Sequence, residues 1–370
     1  MGQRHTKASL ARWGALATAG LIAVSSAGAA QSVGQALRPD AVFTISGRVL
    51  LLAVDGNSAA VTTEVKRACA RRIVVWTAPK RRSTTVKPGI LGCSGDGISR
   101  LAVGGGRVAW IEQGGGNNLE MSLMTASLAG GTMKQLEFVT NGDRAGADPA
   151  GGWVGQLFGA GSLLAYNRWT QVCDKPADQE CGEKDPQLRL TNQKLVRIAS
   201  GRRVVVTRGT DAYPLTAVGG GRLAVEAAGG VAIRAASGAQ VATVPPADAS
   251  ARAVALSKTR LAIERTLMLD LYNPGTGAAE KSLPLGAAAS LRLADVTSKL
   301  ALLRGPHRLV LVRLSDGRRL SFPLRPGAAA TLVGGRLTAA GLFYAYNTRS
   351  SSRPGRIVFE PMGKLLARFY

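Results

Sequence analysis

Apolar positions along this chain fall into short runs broken by small residues, and one such phrase recurs. An apolar strand, a Gly-rich or small turn and a second apolar strand appear as Leu52-Ala-Val-Asp-Gly-Asn-Ser-Ala-Ala-Val61 and Leu101-Ala-Val-Gly-Gly-Gly-Arg-Val-Ala-Trp110. They return as Leu157-Phe-Gly-Ala-Gly-Ser-Leu-Leu-Ala-Tyr166 and Thr216-Ala-Val-Gly-Gly-Gly-Arg-Leu-Ala-Val225. Looser copies run from Val254 to Ile263, from Leu293 to Leu302 and from Thr338 to Tyr346. Aligning Ala59, Val108, Leu163, Leu223, Leu261, Leu300 and Leu342 gives seven copies spaced by 38 to 60 residues. Each phrase is followed by two more strand-like segments around a short turn. Ser315-Asp-Gly317 between Leu309 and Phe322 is a strong hairpin signal, and Asn273-Pro-Gly275 turns another pair. Four short strands per unit, seven times over, predict an all-β chain: a β-propeller with seven blades of four antiparallel strands. A two-domain sandwich would need no such repetition.

The repeat resembles the broad superfamily of exported bacterial β-propellers, the TolB-like and WD40-like repeat proteins, over residues 42–370. The resemblance implies the fold alone, because no Trp-Asp dipeptide, kelch pattern or quinoprotein tryptophan motif accompanies it. Ring closure has two readings. Val42-Phe-Thr-Ile-Ser46 adds a strand to the last blade, or Lys364-Leu-Leu-Ala-Arg-Phe369 completes it.

In a meander of strands A to D, counted outward from the channel, the B–C and D–A connections share one face and the A–B and C–D turns the other. Cys69 and Cys93 then lie on one face, which makes their pairing geometrically sensible. The same face carries the long connections Asn141–Trp153 and Asn167–Gln187, the second closed by Cys173 and Cys181 and rich in acids at Asp174, Asp178, Glu180, Glu183 and Asp185. Long loops on a rigid scaffold are where function concentrates, and Trp153 and Trp169 are the candidate ligand-facing aromatics there. Packing of each Trp on its own blade is the competing reading. The opposite face gathers basic C–D turns at Lys80-Arg81-Arg82, Arg202-Arg203 and Arg318-Arg319, with Lys364 near the equivalent place in the last unit. Such a rim could neutralise a polyanion, or simply solvate hairpin tips.

Charge and compartment sharpen the picture. The chain has 370 residues, 47 Lys plus Arg against 23 Asp plus Glu, and a net charge of +24. Arg4, Lys7 and Arg12 precede an apolar stretch from Trp13 to Val24 and the small residues Ala27-Gly-Ala-Ala30. Residues 1–30 therefore read as a secretory signal and 31–41 as a short linker. The apolar stretch falls short of the roughly 20 residues of a membrane span, so no stable transmembrane anchor is expected. The expected location is extracytoplasmic, secreted or associated with the cell envelope. Four cysteines fit that compartment as two nearest-neighbour disulfides, since neither pair has zinc-ligand spacing. The excess charge draws the chain toward anionic surfaces, or it records an arginine-rich composition.

Catalytic constellations are thin. His5 leaves with the signal and His307 sits in a turn, so a histidine-based triad has one possible member, and no G-x-S-x-G elbow occurs. The Gly-Gly-Gly turns lead into strands rather than helix N-termini, so they are not phosphate loops. Asp55, Glu112, Glu226, Glu264 and Asp295 lie near the inner strands, where desolvation shifts carboxyl pKa values. Asp143, Asp148 and the 174–185 acids lack a calcium-loop spacing. The expected function is a non-catalytic binding or scaffold propeller recognising an anionic polymer or glycan of the envelope, or a protein partner. A carbohydrate- or ester-active enzyme using channel carboxylates is the alternative. No cofactor or metal is expected, and the chain is expected to be a monomer.

Overall fold

A computed structural model describes residues 41–370 apart from 66–69, 79, 81, 91–96, 116–118, 142–149, 176–180, 182–184, 228–229, 246–250, 324–329 and 349–353. The expected signal and linker, and the Cys69–Cys93 pairing, lie outside the described residues.

The repeated phrase folds as the two inner strands of each blade. In the second unit Gly97–Gly104 and Arg107–Gly114 pair antiparallel around Gly105 and Gly106, whose φ values of 59° and 69° suit a tight primed turn. Gly104 is needed for another reason. A Cβ there would lie 2.1 Å from the Leu163 carbonyl oxygen of the next unit, so the end of this innermost strand approaches the next blade more closely than any side chain permits. Gly219 stands in the same relation to the Leu256 carbonyl oxygen, at 1.9 Å.

The second strand of each blade explains the continuous apolar runs. The seven aligned residues, from Ala59 to Leu342, are all buried, and so are the residues that follow them, from Ala60 to Phe343. Adjacent residues on a strand point to opposite faces, so these strands are covered on both sides by neighbouring blades. Seven hydrophobic clusters result, one at each junction between consecutive blades. The cluster joining the last blade to the first, around Trp76, Phe343 and Ile357, closes the ring.

The sheets are seven, each of four antiparallel strands, as the repeat predicts. Six take consecutive strands. The seventh takes Ala330–Leu337, Gly341–Thr348 and Gly355–Pro361 and is completed by the N-terminal strand β1, Ala41–Ile45. Phe43 stacks on Trp76 of the first blade at 5.7 Å, which ties the closing strand to the ring. The segment from Lys364 is no strand: Met362–Ala367 form helix α1, and Leu365 and Phe369 pack between the sixth and seventh blades. No helix among the described residues is long and apolar enough to cross a membrane.

Candidate functional site

The first strands of the seven blades line a central channel, in which two cavities of about 590 Å³ and 490 Å³ share Phe158, Thr216, Val254, Ala294 and Arg336. The larger opens among the A–B turns and carries Asp55, Asp295, Lys258 and Lys299. The smaller opens at the other face and carries Glu226, Arg252, Arg292, Arg304 and Arg336.

The smaller cavity is built on a wall of arginines from blades five to seven. Glu264, with no exposed surface, accepts the Leu293 N–H at 2.5 Å and lies 3.6 Å from Arg252 and 3.4 Å from Arg292. A buried carboxylate needs such partners, and here one acid serves two guanidinium groups. Arg336 lies 3.6 Å from Asp295, which also accepts the Leu337 N–H at 3.1 Å. Burial pushes the Asp295 carboxyl up from its ordinary value, and Arg336 opposes the shift.

Arg304 has no carboxylate partner among the described residues. It stands directly across the strand pair from Arg292, an arrangement of like charges that costs stability. Partial burial and the neighbouring Arg336 lower its pKa from the ordinary value.

The carboxylates named from sequence thus divide. Glu112 accepts the Trp110 indole N–H at 2.7 Å and pairs with Lys87, so it serves a junction between blades. Glu264 is an internal anchor. Asp55 lines the larger cavity, accepts the Gly161 N–H at 2.7 Å and is pushed up by burial. Glu226 lines the smaller cavity, exposed. The two acids at one repeat position, Glu226 and Glu264, therefore have opposite surroundings.

The other candidates fall elsewhere. Trp153 and Trp169 oppose each other across the first two strands of the third blade, with parallel rings 6.4 Å apart, and Tyr213 meets Trp169 edge-on at 5.0 Å. Trp169 is buried, over Gly155. Cys173 and Cys181 form a disulfide; beside it Asp174 pairs with Arg189 and Asp185 with Lys175. His307 is exposed in its turn. The basic C–D turns do share a face, and two of their exposed members also contact groups of neighbouring strands. Arg203 reaches Glu137 of the second blade at 2.6 Å, in a cluster with Tyr166 and Arg168, and Arg319 donates to the Pro284 carbonyl. Arg82, Arg202 and Arg318, like Arg203 and Arg319, are exposed, and Arg81 lies outside the described residues. Lys364 belongs to helix α1 rather than to a C–D turn.

Sequence reasoning missed Arg252, Arg292, Arg304 and Arg336. Their signal is positional: Arg292 and Arg304 lie just outside the apolar phrase, at the start of a first strand and the end of a second.

No protein-family model and no curated protein matches the chain. Solved structures do. The propeller domain of the Trilobed protease from Pyrococcus furiosus, described as an open velcro topology, aligns with a TM-score of 0.52 at 9% identity, over 85% of this chain and 95% of its own. An acylaminoacyl peptidase in complex with Z-Gly-Gly-Phe-chloromethyl ketone aligns with 0.51 at 10% identity, over 87% of this chain and 54% of its own. The uncomplexed acylaminoacyl peptidase of Pyrococcus horikoshii gives 0.51 at 10% identity, over 89% and 55%. The chain spans about half the length of these peptidases, and the likeness shows the fold. It also corrects the expectation of a non-catalytic scaffold, because the matching propellers belong to peptidases and the fold carries no such restriction. Part of the basic rim behind that expectation is also engaged within the protein, since Arg203 pairs with Glu137 and Arg319 donates to the Pro284 carbonyl. The channel-carboxylate alternative loses Glu112, Glu264 and Asp295 to internal cations in the same way. What the comparisons establish is the β-propeller fold, and the seven sheets set its blade number.

Proposed function

We propose that this propeller is a ligand-handling domain whose channel takes small carboxylate-bearing molecules, short peptides first among them, on the wall formed by Arg252, Arg292, Arg304 and Arg336. The observation that carries the reading is Arg304, a guanidinium on a cavity wall with no carboxylate partner among the described residues and a like charge across the strand pair. A guanidinium matches a carboxylate through two parallel N–H donors. A cavity of about 490 Å³ lies within the usual range for small-ligand sites. Peptides come first because the similar propellers are parts of peptidases. Export through residues 1–30 belongs to the same reading, supported by the basic start and the small-residue run at Ala27–Ala30.

Calorimetric titration of the full chain with N-acetyl-trialanine and with its C-terminal amide tests this reading. The acid is expected to bind about tenfold more tightly than the amide, one charge-assisted pair's worth of discrimination. Arg304→Gln should erase that preference, and Arg82→Gln on the outer rim should preserve it. Equal binding of acid and amide, or binding of neither, overturns the proposal.

A further inference from the structure

The cavity that holds the arginine wall has a second unpaired charge, of opposite sign. Five charged side chains line it. Arg252 and Arg292 share Glu264, and Arg336 has Asp295. Only Arg304 and Glu226 are left without an ion-pair partner among the described residues. They belong to different blades, Arg304 to the sixth and Glu226 to the fourth, with the fifth between them. Glu226 occupies the place that Glu264 holds one blade further on, three residues beyond the aligned Leu223 and Leu261. Glu264 is spent on the next blade's Leu293 N–H and two arginines. Glu226 makes no such tie and is exposed at the cavity wall. The rest of the cavity lining includes the apolar or small Leu51, Phe158, Val254 and Gly334, and the fifth blade adds Arg252.

We infer that the cavity recognises a zwitterion, an unblocked short peptide whose carboxylate pairs with Arg304 and whose terminal ammonium pairs with Glu226. This rests on the carboxylate reading above and adds to it a demand for a free amino terminus. A lone anion would leave Glu226 facing an arginine-bound ligand of its own sign, whereas an ammonium at the far end satisfies both groups at once. The apolar part of the lining suits small aliphatic side chains.

The test compares trialanine, N-acetyl-trialanine and trialanine amide on the full chain by titration calorimetry. Trialanine is expected to bind tightest, with acetylation weakening it about tenfold through loss of one charge-assisted contact. On Glu226→Gln the acetylated and free peptides should bind alike, and Glu226→Asp should restore part of the difference. Acetylated peptide binding as well as free peptide to the unaltered chain overturns this inference while leaving the carboxylate reading in place. Amide binding as well as acid, or no peptide binding at all, removes both. The acetylation comparison needs no variant, so it decides the matter even where the Glu226→Gln chain fails to fold.

Discussion

Glu226 and Glu264 show how one position in a repeat acquires two roles. Both follow an apolar run of a second strand, Leu-Ala-Val before Glu226 and Leu-Ala-Ile before Glu264. What differs is the next blade: opposite Glu264 stands Arg292 with the Leu293 N–H, while Glu226 meets the open cavity. Glu264→Ala should therefore cost about 1–3 kcal/mol, because the buried Leu293 N–H would lose its acceptor and Arg252 and Arg292 their shared counter-charge. Glu226→Ala should stay within about 0.5 kcal/mol, as expected of an exposed group without a partner. Urea unfolding of both variants checks this, and equal losses would refute the assignment of the two roles. Asp55 gives a pH prediction. Burial raises its carboxyl above the ordinary 3.8, so the folded chain holds that proton more tightly than the unfolded one. Its contribution to stability is full below the unfolded value and is lost as pH rises through the folded one. Asp55→Asn keeps an acceptor for the Gly161 N–H and removes the titration. The variant should melt higher than the parent at pH 7 and alike at pH 3; a lower melting temperature at pH 7 would show that the charge itself stabilises the turn.

Strands were legible wherever packing dictates pattern. Second strands lie between two blades and read as unbroken apolar runs, so the aligned residues from Ala59 to Leu342 mark the core directly. The ends of the chain were ambiguous for the same reason: a five-residue strand and a short helix both need only a few apolar positions. Lys364–Phe369 carries Leu365 and Phe369 four apart, which is helical spacing, and both are buried in α1 and the residue pair that follows it. In β1 the burial alternates, with Val42 outward at 45% exposure and Ile45 inward at 3%. Ile45→Ala should cost about 2–5 kcal/mol, as a buried aliphatic truncation does. Val42→Ala should cost less than about 0.5 kcal/mol. Denaturant midpoints of the two variants decide it: similar small losses would mean that the closing strand contributes little to the ring.

On the scale of the whole molecule, charge was legible as an amount and illegible as a place. An excess of +24 is plain from composition, but its distribution depends on which arginines find carboxylates across blade boundaries. Arg203 and Arg319, both exposed, reach Glu137 and the Pro284 carbonyl, whereas Arg304, in an unremarkable Leu-Leu-Arg-Gly stretch, lines the channel cavity without a carboxylate partner among the described residues. Such pairings join residues from different blades, and spacing along the chain does not reveal them. The unbalanced remainder has a consequence of its own. Like charges spread over one folded unit repel one another and favour expansion, a penalty that salt relieves once the screening length falls to about 10 Å near 0.1 M. The melting temperature in dilute buffer should therefore rise as sodium chloride is added to about 0.15 M. Arg304→Gln removes one channel charge and should melt higher than the parent at low salt, with the gap closing as salt is added. A melting temperature that falls with salt would instead make attractive pairs, such as Arg203 with Glu137 and Arg292 with Glu264, the dominant electrostatic contribution to the fold.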